Sequence, residues 1–131
     1  MDTATSPAFL RAITDQDFAQ LIGSLEPDAT MRALLPGGMR EWTGAESIGA
    51  AFARWFGDTS SYEALDTSLD GVGDLIALSW RLRLSAARFD APAMVVEQHV
   101  YAAIGPTGRI ARLSLMCSGF WPEGDDAVSR G

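Results

Sequence analysis

The second half of the chain alternates apolar and polar positions with a period of two, whereas the first half carries apolar residues at helical spacing. In LIALSWRLRL, Ile76, Leu78, Trp80, Leu82 and Leu84 fall on one side and Ser79, Arg81 and Arg83 on the other, the mark of a strand with one buried face. Residues 62–70, 75–85, 93–104 and 109–120 all read as strands. DGVGD, ARFDAP and GPTG join them and suit hairpin connections in composition and length.

Ahead of them, Ser6 and Pro7 make an N-cap and first-turn pair, followed at helical spacing by Phe9, Leu10 and Ile13. Thr14 or Asp15 restarts a helix bearing Phe18, Leu21, Ile22 and Leu25 and ended by EPDA. TMRALLPGGMREWTG predicts two short strands about a Pro-Gly-Gly turn. In GAESIGAAFARWFGD, the residues Ile48, Ala51, Phe52, Trp55 and Phe56 form one helical stripe, with Gly57 as the stop. Helices first and a meander afterwards predict an α+β fold, with the N-terminal helices packed in the concave face of a strongly curved, mostly antiparallel sheet.

Length and composition fit this picture. A chain of 131 residues, 47% of them hydrophobic, suits one domain spanning 1–131 with its core over about 7–122 and a frayed acidic tail over 123–131. The net charge of −7 and the lack of any basic block argue against nucleic acid and anionic membrane surfaces as partners. All ten basic residues are arginine, a bias we read as codon usage in a GC-rich genome. One cysteine forms no internal disulfide, the N-terminus lacks the pattern of a signal peptide, and no stretch approaches the roughly 20 apolar residues of a membrane span. A cytoplasmic protein is expected. One Cys and one His do not supply a zinc ligand set, so neither metal nor cofactor is expected.

Three stretches carry a family resemblance: LEPDATMRALLPGG as a helix-to-strand passage, TGAESIGAAFARWF as a G-x-x-x-I-x-x-x-F helix, and GRIARLSL opening the last long strand. Over about residues 7–122 the chain resembles the nuclear transport factor 2-like, or SnoaL-like, superfamily, whose cystatin-like cones include ketosteroid isomerase, polyketide cyclases, scytalone dehydratase and limonene epoxide hydrolase. LRLS, VVEQHVY and GRIARLSLMCSGFWP look particularly like uncharacterised bacterial members. The resemblance implies a pocket between the concave sheet face and the second and third helices. It also implies, for isomerase-like members, a carboxylate base on the first strand and an acidic donor on the fifth. Those positions match Ala33 and Val100, neither of which transfers a proton, so the isomerase chemistry does not carry over.

Parity in MVVEQHVYAAI turns Met94, Val96, Val100, Ala102 and Ile104 inward and Glu97, His99 and Tyr101 outward, leaving Gln98 as the polar side chain on the inner face. His99 has two readings. Paired with Glu97 it is a general base; on the convex face among Arg81, Arg83, Arg112 and Glu97 it is one member of a cross-strand charge pattern. Cys117 points inward with no basic neighbour to activate it, which suits an inert thiol better than a nucleophile. Trp42, Trp55 and Trp80 either line a pocket for a flat ligand or fill the core, and Trp121 closes the cone mouth or anchors the tail.

The expected ligand site comprises Met31, Ala33, Trp42, Phe52, Trp55, Trp80, Gln98, Val100 and Cys117, and its ligand is a small, mostly apolar molecule. For an enzyme, the resemblance suggests cofactor-independent isomerisation, dehydration or cyclisation of a carbonyl-bearing metabolite, with Gln98, His99 and Glu97 as candidate catalytic residues and Gln98 as a donor to oxygen. The alternative is a non-catalytic module that dimerises through the convex face at Arg81, Arg83, His99, Tyr101 and Arg112.

Overall fold

The computed structural model describes residues 5–89 and 92–123; the acidic tail from Gly124 onward and Asp90 and Ala91 of the ARFDAP connection lie outside them. Chain order is α1 (Thr5–Asp15), α2 (Phe18–Gly23), β1 (Leu25–Leu35), β2 (Gly38–Thr43), α3 (Ala45–Phe56), β3 (Ser61–Val72), β4 (Leu75–Ser85), β5 (Met94–Ile104), β6 (Ile110–Cys117) and β7 (Trp121–Pro122). The strands form one curved, unclosed sheet in the order β2-β1-β6-β5-β4-β3, with β7 paired to β5. Among the described strands, β1 and β6 run parallel and the remaining pairs are antiparallel, as the alternating hairpin segments predict. The fold is α+β, with the helices covering the inner face of the sheet.

The helical stripes and inward strand positions meet in one core. Phe9, Ile13, Leu21, Ile48, Phe52 and Phe56 from the helices are sealed against Leu78, Trp80, Leu82, Val96, Val100 and Leu113 from the sheet. Burial alternates along β5 as its parity requires, with Val96, Gln98, Val100 and Ala102 buried and His99 and Tyr101 exposed. Gly49 of α3 lies so close to α2 that an added Cβ would sit 2.4 Å from Ile22 Cγ1, so the two helices approach closely only because this position lacks a side chain.

Several boundaries differ from the sequence reading. Ser6 lies within the first turn of α1 instead of capping it. The second helix is shorter than its apolar spacing suggests: Asp17 caps it by accepting from Gln20 N–H, it ends at Gly23, and Leu25 and EPDA belong to β1. Pro27 cannot donate to the ladder, and the β1–β6 register shifts between Leu25 and Thr30, so this stretch pairs irregularly and masks its own strand character. The last long strand breaks at Ser118. Gly119, at φ 81°, turns the chain back into β7, and a Cβ there would lie 2.7 Å from Pro36 Cγ.

Two polar side chains lock the helices to the rim. Gln16, at φ 55° between α1 and α2, donates to the Phe56 carbonyl at 2.6 Å and to Thr59 Oγ1 at 2.8 Å. Tyr62 on β3 donates its phenol to the Ile13 carbonyl at 2.6 Å, and burial pushes its pKa up.

Candidate ligand site at the mouth of the curved sheet

Most of the expected pocket residues are core. Met31, Ala33, Phe52, Trp80, Gln98 and Val100 are at most 1% exposed, because β1, β4, β5 and the buried stripe of α3 close over them. Trp42, Trp55 and Cys117 are half-buried. Trp42 packs edge-on against Trp55 with centroids 5.8 Å apart, and Trp55 packs against Phe52 at 5.1 Å. Trp55 thus joins the sealed layer to the open end of the sheet.

Solvent-accessible apolar space lies one layer further out. A cleft of about 490 Å³ is lined by Leu35, Pro36, Trp55, Phe89, Met94, Cys117, Ser118, Gly119, Phe120 and Trp121. Its volume falls within the usual range for small-molecule sites, roughly 300–1,000 Å³. The Cys117 thiol is the one ionisable group among the described lining residues. Its Sγ accepts from Gly119 N–H at 3.4 Å. Trp121 lines this mouth from β7 and donates its indole N–H to the Ser118 carbonyl at 2.8 Å.

Phe89, Phe120, Leu35, Pro36 and Met94 are absent from the sequence-derived site. Strand alternation assigns inward and outward faces but says nothing of which connections converge. The usable signal is the pair of aromatic-bearing breaks, ARF after β4 and SGFW after β6, where periodicity ends. Arg88 fastens these breaks together: its guanidinium lies 4.4 Å from the Phe89 ring centroid and 5.2 Å from that of Phe120. It also pairs with Asp58 at 3.1 Å and donates to the Trp55 carbonyl at 2.5 Å.

Gln98 is the buried polar side chain in register with a residue that lines this cleft. It pairs with Trp80 on β4 and with Cys117 on β6, so three inner-face residues form a row across the sheet. Trp80 Nε1 donates to Gln98 Oε1 at 2.9 Å, whereas Gln98 Nε2 is buried without a hydrogen-bond partner. A buried amide donor left unpaired costs about 1–3 kcal/mol.

His99 and Glu97 sit on the outer face. His99 Nε2 lies 2.6 Å from Glu97 Oε2, and Arg81 Nε donates to Glu97 Oε1 at 3.0 Å. The hydrogen bond from His99 first, and then that from Arg81, hold the Glu97 carboxyl below the usual range, against an opposing push from burial. Arg83 pairs with Glu63 at 2.8 Å and Glu123 at 2.7 Å. The arrangement is the cross-strand charge pattern, and His99 and Glu97 also line, with Leu34, Met116 and the rim residues Leu35, Pro36, Cys117 and Ser118, a cleft of about 450 Å³ that adjoins the mouth cleft. Beside it, Leu34, Met39, Tyr101 and Met116 stand 46%, 53%, 52% and 60% exposed around a smaller groove of about 270 Å³. Arg112 is exposed on the same face. Among the described residues, His, Cys, Asp and Glu gather nowhere in a group of three or more suited to a metal ion, and no helix is long and apolar enough to cross a membrane.

Neither a family model nor a curated protein sequence matches the chain. Solved structures do. A protein of ketosteroid isomerase-like fold from Catenulispora acidiphila, in complex with trimethylamine, superposes with a TM-score of 0.68 at 16% identity over 88% of this chain and 85% of its own. A protein described as a SnoaL-like polyketide cyclase from Shewanella putrefaciens gives a TM-score of 0.66 at 12% identity over 88% of each chain. An LEH-like epoxide hydrolase from Mycobacterium tuberculosis gives 0.65 at 16% identity over 88% of this chain and 80% of its own. At such identities the likeness speaks to fold alone, and the chain has the curved-sheet fold of the nuclear transport factor 2-like, SnoaL-like proteins.

Proposed function

We propose that this domain binds a small, mostly apolar molecule at the open end of the curved sheet, in a cytoplasmic setting. The observation that carries the reading is the aromatic-lined cleft of about 490 Å³, in which Trp55 and Cys117 are shared with the site expected from sequence. Apolar walls favour such a ligand through area removed from water, and indole and phenyl rings add contact specificity. A catalytic form of the same proposal is cofactor-independent isomerisation, dehydration or cyclisation of a carbonyl-bearing metabolite, with Gln98 as the donor to oxygen. It draws support from the cyclase and hydrolase descriptions of the structural neighbours. Binding ranks ahead of catalysis because Ala33 and Val100 carry no proton to transfer.

Native mass spectrometry of the purified protein tests the proposal. A co-purifying molecule of low polarity, lost in Trp55→Ala, is the expected result; protein that carries nothing and gains no thermal stability from any apolar compound in a broad screen contradicts it.

A second reading has one specific observation in its favour. The cluster of Leu34, Met39, Tyr101 and Met116 on the outer face suits a homodimer contact, in place of or beside ligand binding. Arg81, Arg83 and His99 are engaged within the chain, so Tyr101 and Arg112 are the members of the expected contact with side chains to offer. Sedimentation of the wild type and of Tyr101→Ala decides it, since a monomer in both eliminates the dimer.

A further inference from the structure

We infer that the ligand of the mouth cleft is neutral and carries a hydrogen-bond acceptor, which Gln98 Nε2 receives at the inner end of the site. The inference rests on the binding reading above and adds the chemical class of the ligand.

Three observations combine. Gln98 is 1% exposed, and its carboxamide is half satisfied: Oε1 takes the Trp80 indole N–H at 2.9 Å, while Nε2 has no partner. This pairing also fixes the orientation of the amide, because a flipped group would set Nε2 against the Trp80 N–H, donor to donor. The two branches diverge from Cδ, so with Oε1 committed to β4, Nε2 is the branch turned away from Trp80. On that side the register partner of Gln98 is Cys117, which lines the cleft. The unmade bond therefore lies on the Cys117 side of Gln98, and the half-buried Cys117 stands between that row and the cleft it lines.

The chemistry of the ligand follows from what surrounds that donor. An N–H group calls for an acceptor such as a carbonyl or ether oxygen, and a ligand with donors alone leaves it unpaired. A carboxylate would lose its hydration in a cleft whose described lining holds no cationic side chain, and an ammonium would face the amide donor. Aromatic walls from Trp55, Phe89, Phe120 and Trp121 favour a flat body.

Calorimetric titration with three probes of one shape tests this: 2-acetylnaphthalene, 2-ethylnaphthalene and 2-naphthoate. The wild type binds the ketone about tenfold more tightly than the hydrocarbon, and naphthoate more weakly than the ketone. Gln98→Met abolishes the preference for the ketone while hydrocarbon binding persists. A second measurement needs no variant: the C=O stretch of bound 2-acetylnaphthalene moves below its value in hexane. Equal affinity for ketone and hydrocarbon in the wild type, an unshifted carbonyl, or naphthoate bound as tightly as the ketone overturns the inference and leaves apolar binding standing. Failure of all three probes to bind overturns the binding reading itself.

Discussion

Trp80 Nε1 donates to Gln98 Oε1 at 2.9 Å across neighbouring strands, inside a core that excludes solvent from both residues. This bond makes Trp80 more than a space-filling ring. Trp80→Phe removes the donor, leaves Oε1 unpaired beside the already orphaned Nε2, and opens a void next to Phe9 and Phe52. A loss of about 2–4 kcal/mol is expected by urea unfolding. A loss under about 0.5 kcal/mol would mean that the buried amide finds other partners.

Gly49 sets the spacing of α2 and α3. Gly49→Ala improves helix propensity, yet its methyl collides with Ile22, so the net effect is a destabilisation of about 1–2 kcal/mol. Ile22→Ala in the same molecule recovers part of it, and a double-mutant cycle reads the coupling directly. Simple additivity of the two substitutions would refute the contact.

Arg88 braces the mouth by stacking on Phe89 and Phe120 and pairing with Asp58. Arg88→Ala speeds dissociation of a bound apolar probe in stopped-flow fluorescence by several-fold, an effect on the order of 1 kcal/mol. Arg88→Lys restores charge but not the flat stacked group, so it behaves closer to Ala than to Arg. Unchanged dissociation in both variants would remove Arg88 from the site.

Glu97 and His99 lie outside the lining of the mouth cleft. The folded-state pKa of Glu97 is lowered, so its contribution is present above the unfolded pKa near 4 and is lost as pH falls through the folded value. Glu97→Gln flattens the acid limb of the stability profile and leaves neutral-pH ligand affinity unchanged, as does His99→Ala. A ligand affinity that tracks either substitution would move the site to the outer face. Tyr62 has the opposite sign: burial raises its pKa, so stability is complete below the unfolded phenol value near 10 and declines as pH rises beyond it. Phenolate absorbance from Tyr62 appears only with unfolding.

The face of each inner residue was legible in the sequence because strand parity is strictly two-fold: Gln98 is buried and His99 exposed, as MVVEQHVYAAI implies. The depth of those residues was not legible. Parity separates inside from outside, but whether Met31 or Val100 meets a cavity or a neighbour depends on how far Phe52 and Trp80 fill the space between helix and sheet. The mouth was not legible, since Phe89 lies in a connection, Phe120 ends a segment whose alternation breaks after Cys117, and the two rings meet at 5.0 Å only through the way the chain folds back there. The short second helix was hidden for a related reason: Leu25 continues its apolar spacing while already belonging to β1.

The most direct test of the central claim is the indole region of a ¹H–¹⁵N spectrum as 2-acetylnaphthalene is added to the wild-type protein. Trp55 and Trp121 line the cleft, Trp80 bonds to Gln98 behind it, and Trp42 sits beyond Trp55. Saturable shifts largest at Trp55 and Trp121, with a smaller one at Trp80 and none at the His99 ring, are the predicted result. Four unmoved indole signals, or shifts confined to His99 and Tyr101 on the outer face, would contradict it.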